Sequence, residues 1–299
     1  MTRRLLATIS ALALTALAAC SSGTPAAAPT SADAENRVTV RVGVTDESKA
    51  YWGTLVEKAA AEGIDLELEN FTDYQQPNPA LSQGGLELNQ FQHLLFLANY
   101  NESTDDDLTP IGSTVIYQLG LYTTKGYATP DDIPEGAEIA IPNDATNQAR
   151  ALLVLQSAGL ISLVDGGNAL STPAEIDEAA SRVTVVPVDA NQTAVQLQSL
   201  DGAIINNNFA ADADIDPTTA IYSDLEDTAT ARPYVNIWVA RAEDADNPVY
   251  ERIIELYHEE DVIGQLLEEN KGTAVEQELT PEELQAELDE LQGLVAEQA

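Results

Sequence analysis

Hydrophobic and polar positions along the chain alternate between two periods. Val38 to Val44 alternates and is β-branched, which predicts a strand. Ser48 to Ala61 follows with helical spacing of Tyr51, Leu55 and Ala59 and an exposed Glu57-Lys58. Ile64 to Phe71 alternates again, with Ile64, Leu66 and Leu68 on one face. A helix from Asn78, a short strand at Leu86 to Phe91, a helix at His93 to Tyr100 and an apolar strand at Ile116 to Thr123 complete a first cycle. A second cycle has strands at Glu138 to Ile141, Arg182 to Val188 and Ala203 to Ile205, with helices at Thr146 to Ser157 and Thr193 to Leu200. Tyr234 to Ala240 is a further apolar strand, followed by helices at Pro248 to Glu259 and Val262 to Asn270. This β-α alternation, without a repeat of 20 to 50 residues, predicts two α/β lobes with largely parallel sheets. Thr280 to Glu297 carries Leu284, Leu288, Leu291 and Val295 at helical spacing behind a Thr280-Pro281 start. It is either a docking helix for a partner or a helix packed along the body.

The first residues break this rhythm. Arg3 and Arg4 precede an apolar run from Leu5 to Ala19, too short to span a bilayer but suited to a signal-peptide core. The run ends Leu17-Ala18-Ala19-Cys20, similar to a bacterial lipobox, in which the cysteine carries the lipid. Ser21 to Ala34 is rich in Ser, Thr, Ala and Pro and reads as a flexible tether. The expected division is a signal peptide over residues 1–19 and a lipid-anchored tether over 20–37. Lobe 1 is expected to comprise 38–125 plus 232–275, lobe 2 to comprise 126–231, and an acidic helical extension to occupy 276–299.

Composition narrows the chemistry. The 299 residues hold 50 acidic and 13 basic side chains, a formal net charge of −37, which disfavours nucleic acid and anionic ligands without a compensating cation. Cys20 is the single cysteine, so neither an internal disulfide nor a cysteine zinc cluster can form, and two histidines cannot make a histidine-rich metal site. The sequence contains no Gly-Lys dipeptide, hence no P-loop, and neither Gly-x-Gly-x-x-Gly nor Gly-x-Ser-x-Gly. The common signatures of nucleotide-using enzymes and esterases are thus absent, and no metal and no cofactor is expected.

The segment Ile141 to Arg150 compresses a strand end, a polar turn and a helix start into ten residues. Asp144 or Thr146 can cap that helix, and Asn147 and Arg150 share its face. An arginine in a first turn opposes the helix dipole and needs a carboxylate, from the protein or from a ligand. Between Gly126 and Ala231 seventeen acidic residues accompany only Arg150 and Arg182. A carboxylate entering that field needs its own ammonium, so a zwitterion fits. Asn206-Asn207-Asn208 ends an apolar strand where polar groups converge on a crevice, or forms an ordinary turn. Asn236 lies within an apolar strand and wants a partner. Tyr74, Phe91, His93 and Phe96, with Phe71, form an aromatic-polar cluster suited to a thioether or aliphatic chain. His258, on a charged helix face, reads as solvated.

At these residues the chain resembles the methionine-binding lipoproteins of methionine-type ABC importers. The matching pieces are Phe71-Thr-Asp-Tyr74 with Pro77-Asn78, Asn89-Gln-Phe91-Gln-His93, Pro142-Asn-Asp-Ala-Thr-Asn147 leading to Arg150, Leu152 to Ile161, Ile205-Asn206 and Tyr234-Val-Asn236. They run in family order from Val38 to about Val275 behind the lipobox. The resemblance implies an α/β, two-lobed periplasmic-binding-protein-like fold (type II), with ligand between the lobes and two hinge crossings, near Thr124 to Pro134 and Asp227 to Pro233. It implies that Arg150, with Asn147 beside it, binds the methionine carboxylate. Asn206, Asn236 and His93 would hold the polar end, while Tyr74 and Phe91 wall the thioether. Phe96 stands where the family usually has Tyr, and Asn207, Asn208 and Phe209 depart from its usual Thr-Thr-Tyr. The expected protein is not an enzyme. It is a solute receptor on the extracytoplasmic side of the cell membrane, held by lipid (palmitate) on Cys20, that delivers L-methionine to an ABC permease and its ATPase subunit. The alternatives are a receptor for another amino acid or a short Met-containing peptide, or a surface hydrolase.

Overall fold

A computed structural model describes residues 37–225 and 231–298. The signal, Cys20 and most of the tether lie outside the described residues.

The first lobe is built on a five-stranded sheet. In chain order its strands are β1 (Val38–Val44), β2 (Ile64–Asn70), β3 (Leu88–His93), β4 (Thr109–Ser113) and, much later, β11 (Asn236–Ala240). The spatial order is β2-β1-β3-β11-β4, with β1 parallel to both neighbours and β11 antiparallel to both of its own. The period-two pattern of β11 explains how one sheet serves two cores. Trp238 and Ala240 face α1 (Ala50–Ala61), α7 (Pro248–Tyr257) and α8 (Glu260–Glu269), where Trp52 meets Trp238 edge-on at 5.8 Å. Ile237 and Val239 face the other way, onto α2 (Pro77–Ser82), α3 (Leu94–Thr104) and α9 (Pro281–Gln298).

The second lobe repeats this logic. β6 (Gly120–Tyr122), β7 (Glu138–Pro142), β8 (Thr184–Val188), β9 (Gly202–Ile205) and β10 (Tyr222–Ser223) lie in the order β10-β6-β9-β7-β8. β7 is parallel to β8 and β9, and β6 is antiparallel to β9. Leu121, Ile139, Ile141 and Ile204 pack on α4 (Ala145–Ser157), while Tyr122, Ala140, Ala203 and Ile205 pack on α5 (Thr193–Gln196) and α6 (Asn207–Asp212). The molecule has the two-lobed periplasmic-binding-protein-like fold.

One expected strand divides. Ile116 to Thr123 separates into β5 (Val115–Tyr117), paired with β12 (Ala274–Glu276), and β6, which belongs to the second sheet. The chain therefore leaves the first lobe's strands at Gln118-Leu119, upstream of the crossing expected at Thr124 to Pro134, and residues 120–125 do not belong with the first lobe's strands. A continuous apolar run carries no mark of where its hydrogen-bond partner changes. The second expected crossing, Asp227 to Pro233, lies largely outside the described residues.

The tail is a helix packed along the body. Thr280 and Glu283 cap it reciprocally, Thr280 Oγ1 accepting from the Glu283 N–H and the Glu283 carboxylate from the Thr280 N–H. Leu284, Leu288 and Leu291 are buried against α3 and the first sheet, and Arg232 pairs with Glu287 at 2.5 Å. His258 is not solvated as expected. Its ring bridges Glu276 (3.0 Å) and the Ser113 carbonyl (2.9 Å), fastening the end of α7 to β12 and β4.

Candidate functional site

Strand ends build the site. In both lobes the parallel strands direct their carboxyl ends at a common crevice, where an α/β sheet places ligands. β1 delivers Thr45 and Asp46, β3 delivers Phe91, Gln92 and His93, the start of α4 after β7 delivers Asn147 and Arg150, and β9 delivers Asn206 to Asn208. All eight residues singled out in the sequence, Tyr74, Phe91, His93, Phe96, Asn147, Arg150, Asn206 and Asn236, line one cavity. It encloses about 640 Å³ of non-atom space, its open mouth included.

Arg150 is 4% exposed. Asp144 caps α4 by accepting from the Asn147 N–H (3.0 Å), which fixes the first turn and the direction of the arginine. The guanidinium Nε donates to Asp224 (2.6 Å), Nη2 donates to the Tyr117 carbonyl (2.8 Å), and the plane lies 4.3 Å over the ring of Tyr234. The protein thus supplies a carboxylate for Arg150, as one of the two sequence alternatives expected, yet the pair is buried at the cavity rather than spread on the surface. Asp224 also accepts from the Leu119 N–H (2.8 Å), so the same carboxylate holds the crossing segment. Among the described residues Nη1 has no hydrogen-bond partner.

His93 caps α3, its Nδ1 accepting from the Phe96 N–H at 3.1 Å. That bond leaves the ring proton on Nε2, which has no protein partner among the described residues. Burial, reinforced by the Arg150 charge and opposed by Asn147, brings the His93 pKa down to about 3, so the ring is a neutral N–H donor at pH 7. Asn147 is held by Asp144 (2.9 Å) and in turn accepts from Asn206 Nδ2 (3.0 Å), leaving the Asn206 side-chain Oδ1 without a partner among the described residues. Asn236 opens β11 rather than sitting inside it, directly opposite His93 in register.

A wall of rings adjoins these polar groups, with the His93 ring 6.1 Å from that of Phe96. Tyr74 lies 6.0 Å from Phe91, 6.2 Å from Phe96 and 4.9 Å from Phe209, and Phe91 meets Phe96 edge-on at 5.8 Å. The Tyr74 hydroxyl donates to Asn208 Oδ1, and Asn191 Nδ2 donates to the Thr72 carbonyl (2.9 Å), so the two lobes are bonded to each other beside this wall. Behind Phe91 a buried amide cluster of Asn78, Asn89 and Gln92, with contacts of 2.6 to 3.0 Å, fixes the strand that carries the ring. Phe96 leaves this wall without the hydroxyl that Tyr would bring.

Sequence reading missed Thr45, Asp46, Gln90, Gln92, Tyr117, Gln118 and Leu119, which also line the cavity. Asp46 directly follows the strand-end residues Val44 and Thr45, the one signal that could have found it. The others depend on where the chain changes sheet. The arrangement offers a guanidinium, amides and aromatic faces in one cavity, and among the described residues no nucleophile there is paired to a base.

A family model described as NlpA lipoprotein matches residues 40–278. The chain is 32% identical over 263 residues to the probable D-methionine-binding lipoprotein MetQ of Pasteurella multocida, covering 87% of this chain and 93% of that protein. Among solved structures it resembles the substrate binding protein of a methionine transporter from Streptococcus pneumoniae. That match has a TM-score of 0.74 and 36% identity, covering 80% of this chain and 95% of that one. It also resembles a nutrient binding protein from Burkholderia cenocepacia bound to methionine, with a TM-score of 0.72 and 32% identity, covering 80% and 99%.

Proposed function

The chain belongs to the NlpA lipoprotein family, and from that premise we propose that it is a receptor that captures methionine between its lobes and delivers it to an ABC importer. The observation that carries the reading is the make-up of one cavity, which Arg150, Asn147 and His93 line together with Tyr74, Phe91 and Phe96. The guanidinium and the histidine N–H receive the carboxylate, since both donate and neither can accept. Asn206 and Asn236 bring amides to the same cavity, and the rings enclose the thioether, which favours contact with aromatic faces and edges. The protein binds and releases; it catalyses no reaction. ATP hydrolysis and translocation belong to an ATPase and a permease subunit. Lipid on Cys20 anchors the chain to the cell membrane on its extracytoplasmic side.

Ligand-free protein titrated with L-methionine, D-methionine, methionine sulfoxide, Gly-Met and other amino acids tests this by calorimetry. L-methionine is the expected ligand, and the D-enantiomer named for several relatives is measured beside it. Absence of binding heat or thermal stabilisation with every methionine compound refutes the specificity.

A further inference from the structure

We propose that Asp46 is the anionic partner of the ligand's ammonium group, and that it makes the cavity select amino acids over the corresponding carboxylic acids. The proposal rests on the methionine reading above and assigns a role that reading leaves open. Among the described lining residues Asp46 is the one carboxylate and Arg150 the one guanidinium, and His93 is neutral. A zwitterion brings one charge of each sign into a partly desolvated site. Amides can accept ammonium protons but add no counter-charge, and an ammonium removed from water needs one.

Placement supports this. Asp46 follows the end of β1 at the carboxyl edge of parallel strands. Its carboxylate is oriented by two rigid donors, Tyr51 Oη–H (2.8 Å) and Trp52 Nε1–H (2.8 Å), whose side chains are buried in the first lobe's core. Each oxygen keeps acceptor capacity beyond these bonds. No lysine or arginine lies within ion-pair distance of it among the described residues, and the nearby Lys49 reaches Glu269 instead (3.9 Å). Burial pushes the Asp46 pKa up against the pull of Trp52 and Tyr51, the mark of a charge whose lost hydration is not fully replaced. Asp46 also borders a second recess with Glu47, Asn70 and, from the other lobe, Asp212. That acidic recess adjoins the cavity and favours entry of a cationic group.

The test compares L-methionine with 4-(methylthio)butanoate, which lacks only the ammonium, on wild type and on Asp46→Asn. Wild type is expected to prefer methionine, and the substitution to shrink that preference by about tenfold, the scale of one charge-assisted hydrogen bond. Taking the ratio of two ligands on one variant cancels any loosening caused by weaker bonds to Tyr51 and Trp52. A variant that keeps the full wild-type preference overturns the proposal. Equal binding of both compounds by wild type overturns it as well, whether or not the variant folds. Binding of neither compound by wild type removes the methionine reading itself.

Discussion

Replacing Arg150 with alanine probes the site and the fold together, and the two effects can be worked out separately. In the folded protein the guanidinium is buried, bonded to Asp224 at 2.6 Å and to the Tyr117 carbonyl at 2.8 Å. Removing one partner of a buried pair costs roughly 3–5 kcal/mol when the other is left fully desolvated. Asp224 keeps some access to water, with its side chain 22% exposed, and retains the Leu119 N–H. The expected loss of stability is therefore smaller, about 2–3 kcal/mol, which for a chain of this size lowers Tm by about 4–12 °C. Independently, loss of a charge-assisted contact to a ligand carboxylate weakens binding by roughly 2–4 kcal/mol, about 30-fold to 1,000-fold.

Urea denaturation without ligand measures the first effect, and calorimetric titration with methionine under folding conditions measures the second. Asp224→Asn serves as the reference, because it loosens the pair while leaving the guanidinium in place. Its affinity loss is expected to be well below that of Arg150→Ala. Unchanged methionine affinity in Arg150→Ala would falsify the carboxylate role and reduce Arg150 to a pin between α4 and the crossing segment.

Other outcomes follow from the same structure. Leu288→Ala on α9 removes a buried side chain that packs against the α3 face and should cost about 2–4 kcal/mol in urea denaturation while leaving methionine affinity intact; a loss below 1 kcal/mol would mean the helix is only loosely docked. His93 titrates near 3 when folded and near 6.5 when unfolded, so the unfolded state binds the extra proton between those values. Stability from this group is full above pH 6.5 and falls with acidification at up to about 1.4 kcal/mol per pH unit. His93→Gln should flatten the stability curve between pH 6 and pH 4.5 by close to one proton, and parallel curves for the two proteins would contradict the buried neutral ring. With a formal net charge of −37, raising NaCl from about 10 to about 150 mM should raise Tm through screened self-repulsion, and a fall in Tm would show that attractive ion pairs dominate instead.

Local chemistry in the sequence was enough to pick out many of the residues that line the candidate cavity. Asp144 capping α4 and the three-residue offset of Asn147 and Arg150 follow from helix geometry, and both residues face the cavity. Asn206 to Asn208 mark a strand end because asparagine terminates an apolar run, and that end points at the crevice. Long-range pairing was harder to read. Nothing in Ile116 to Thr123 tells that Tyr117 and Gly120 hydrogen-bond in different sheets. The partner of Arg150 was equally hidden, since Asp224 is one of seventeen acids in that stretch and only the fold selects it. His258 misled because its neighbours in sequence are charged, while its neighbours in space are a backbone carbonyl and Glu276. β4, flanked by Asp107 and by β5, is short and contains a proline and a glycine, so it carries little strand signal of its own.

The closing helix has a practical corollary. Leu284, Leu288 and Leu291 roof the apolar side of α3, where Leu94, Leu95, Leu97 and Ala98 are buried. A protease that trims the acidic end back past Leu288 would leave that greasy surface open to water, on the helix whose first turn carries Phe96. Nicked material should clump on storage while the intact chain, with its acids facing outward, stays dispersed.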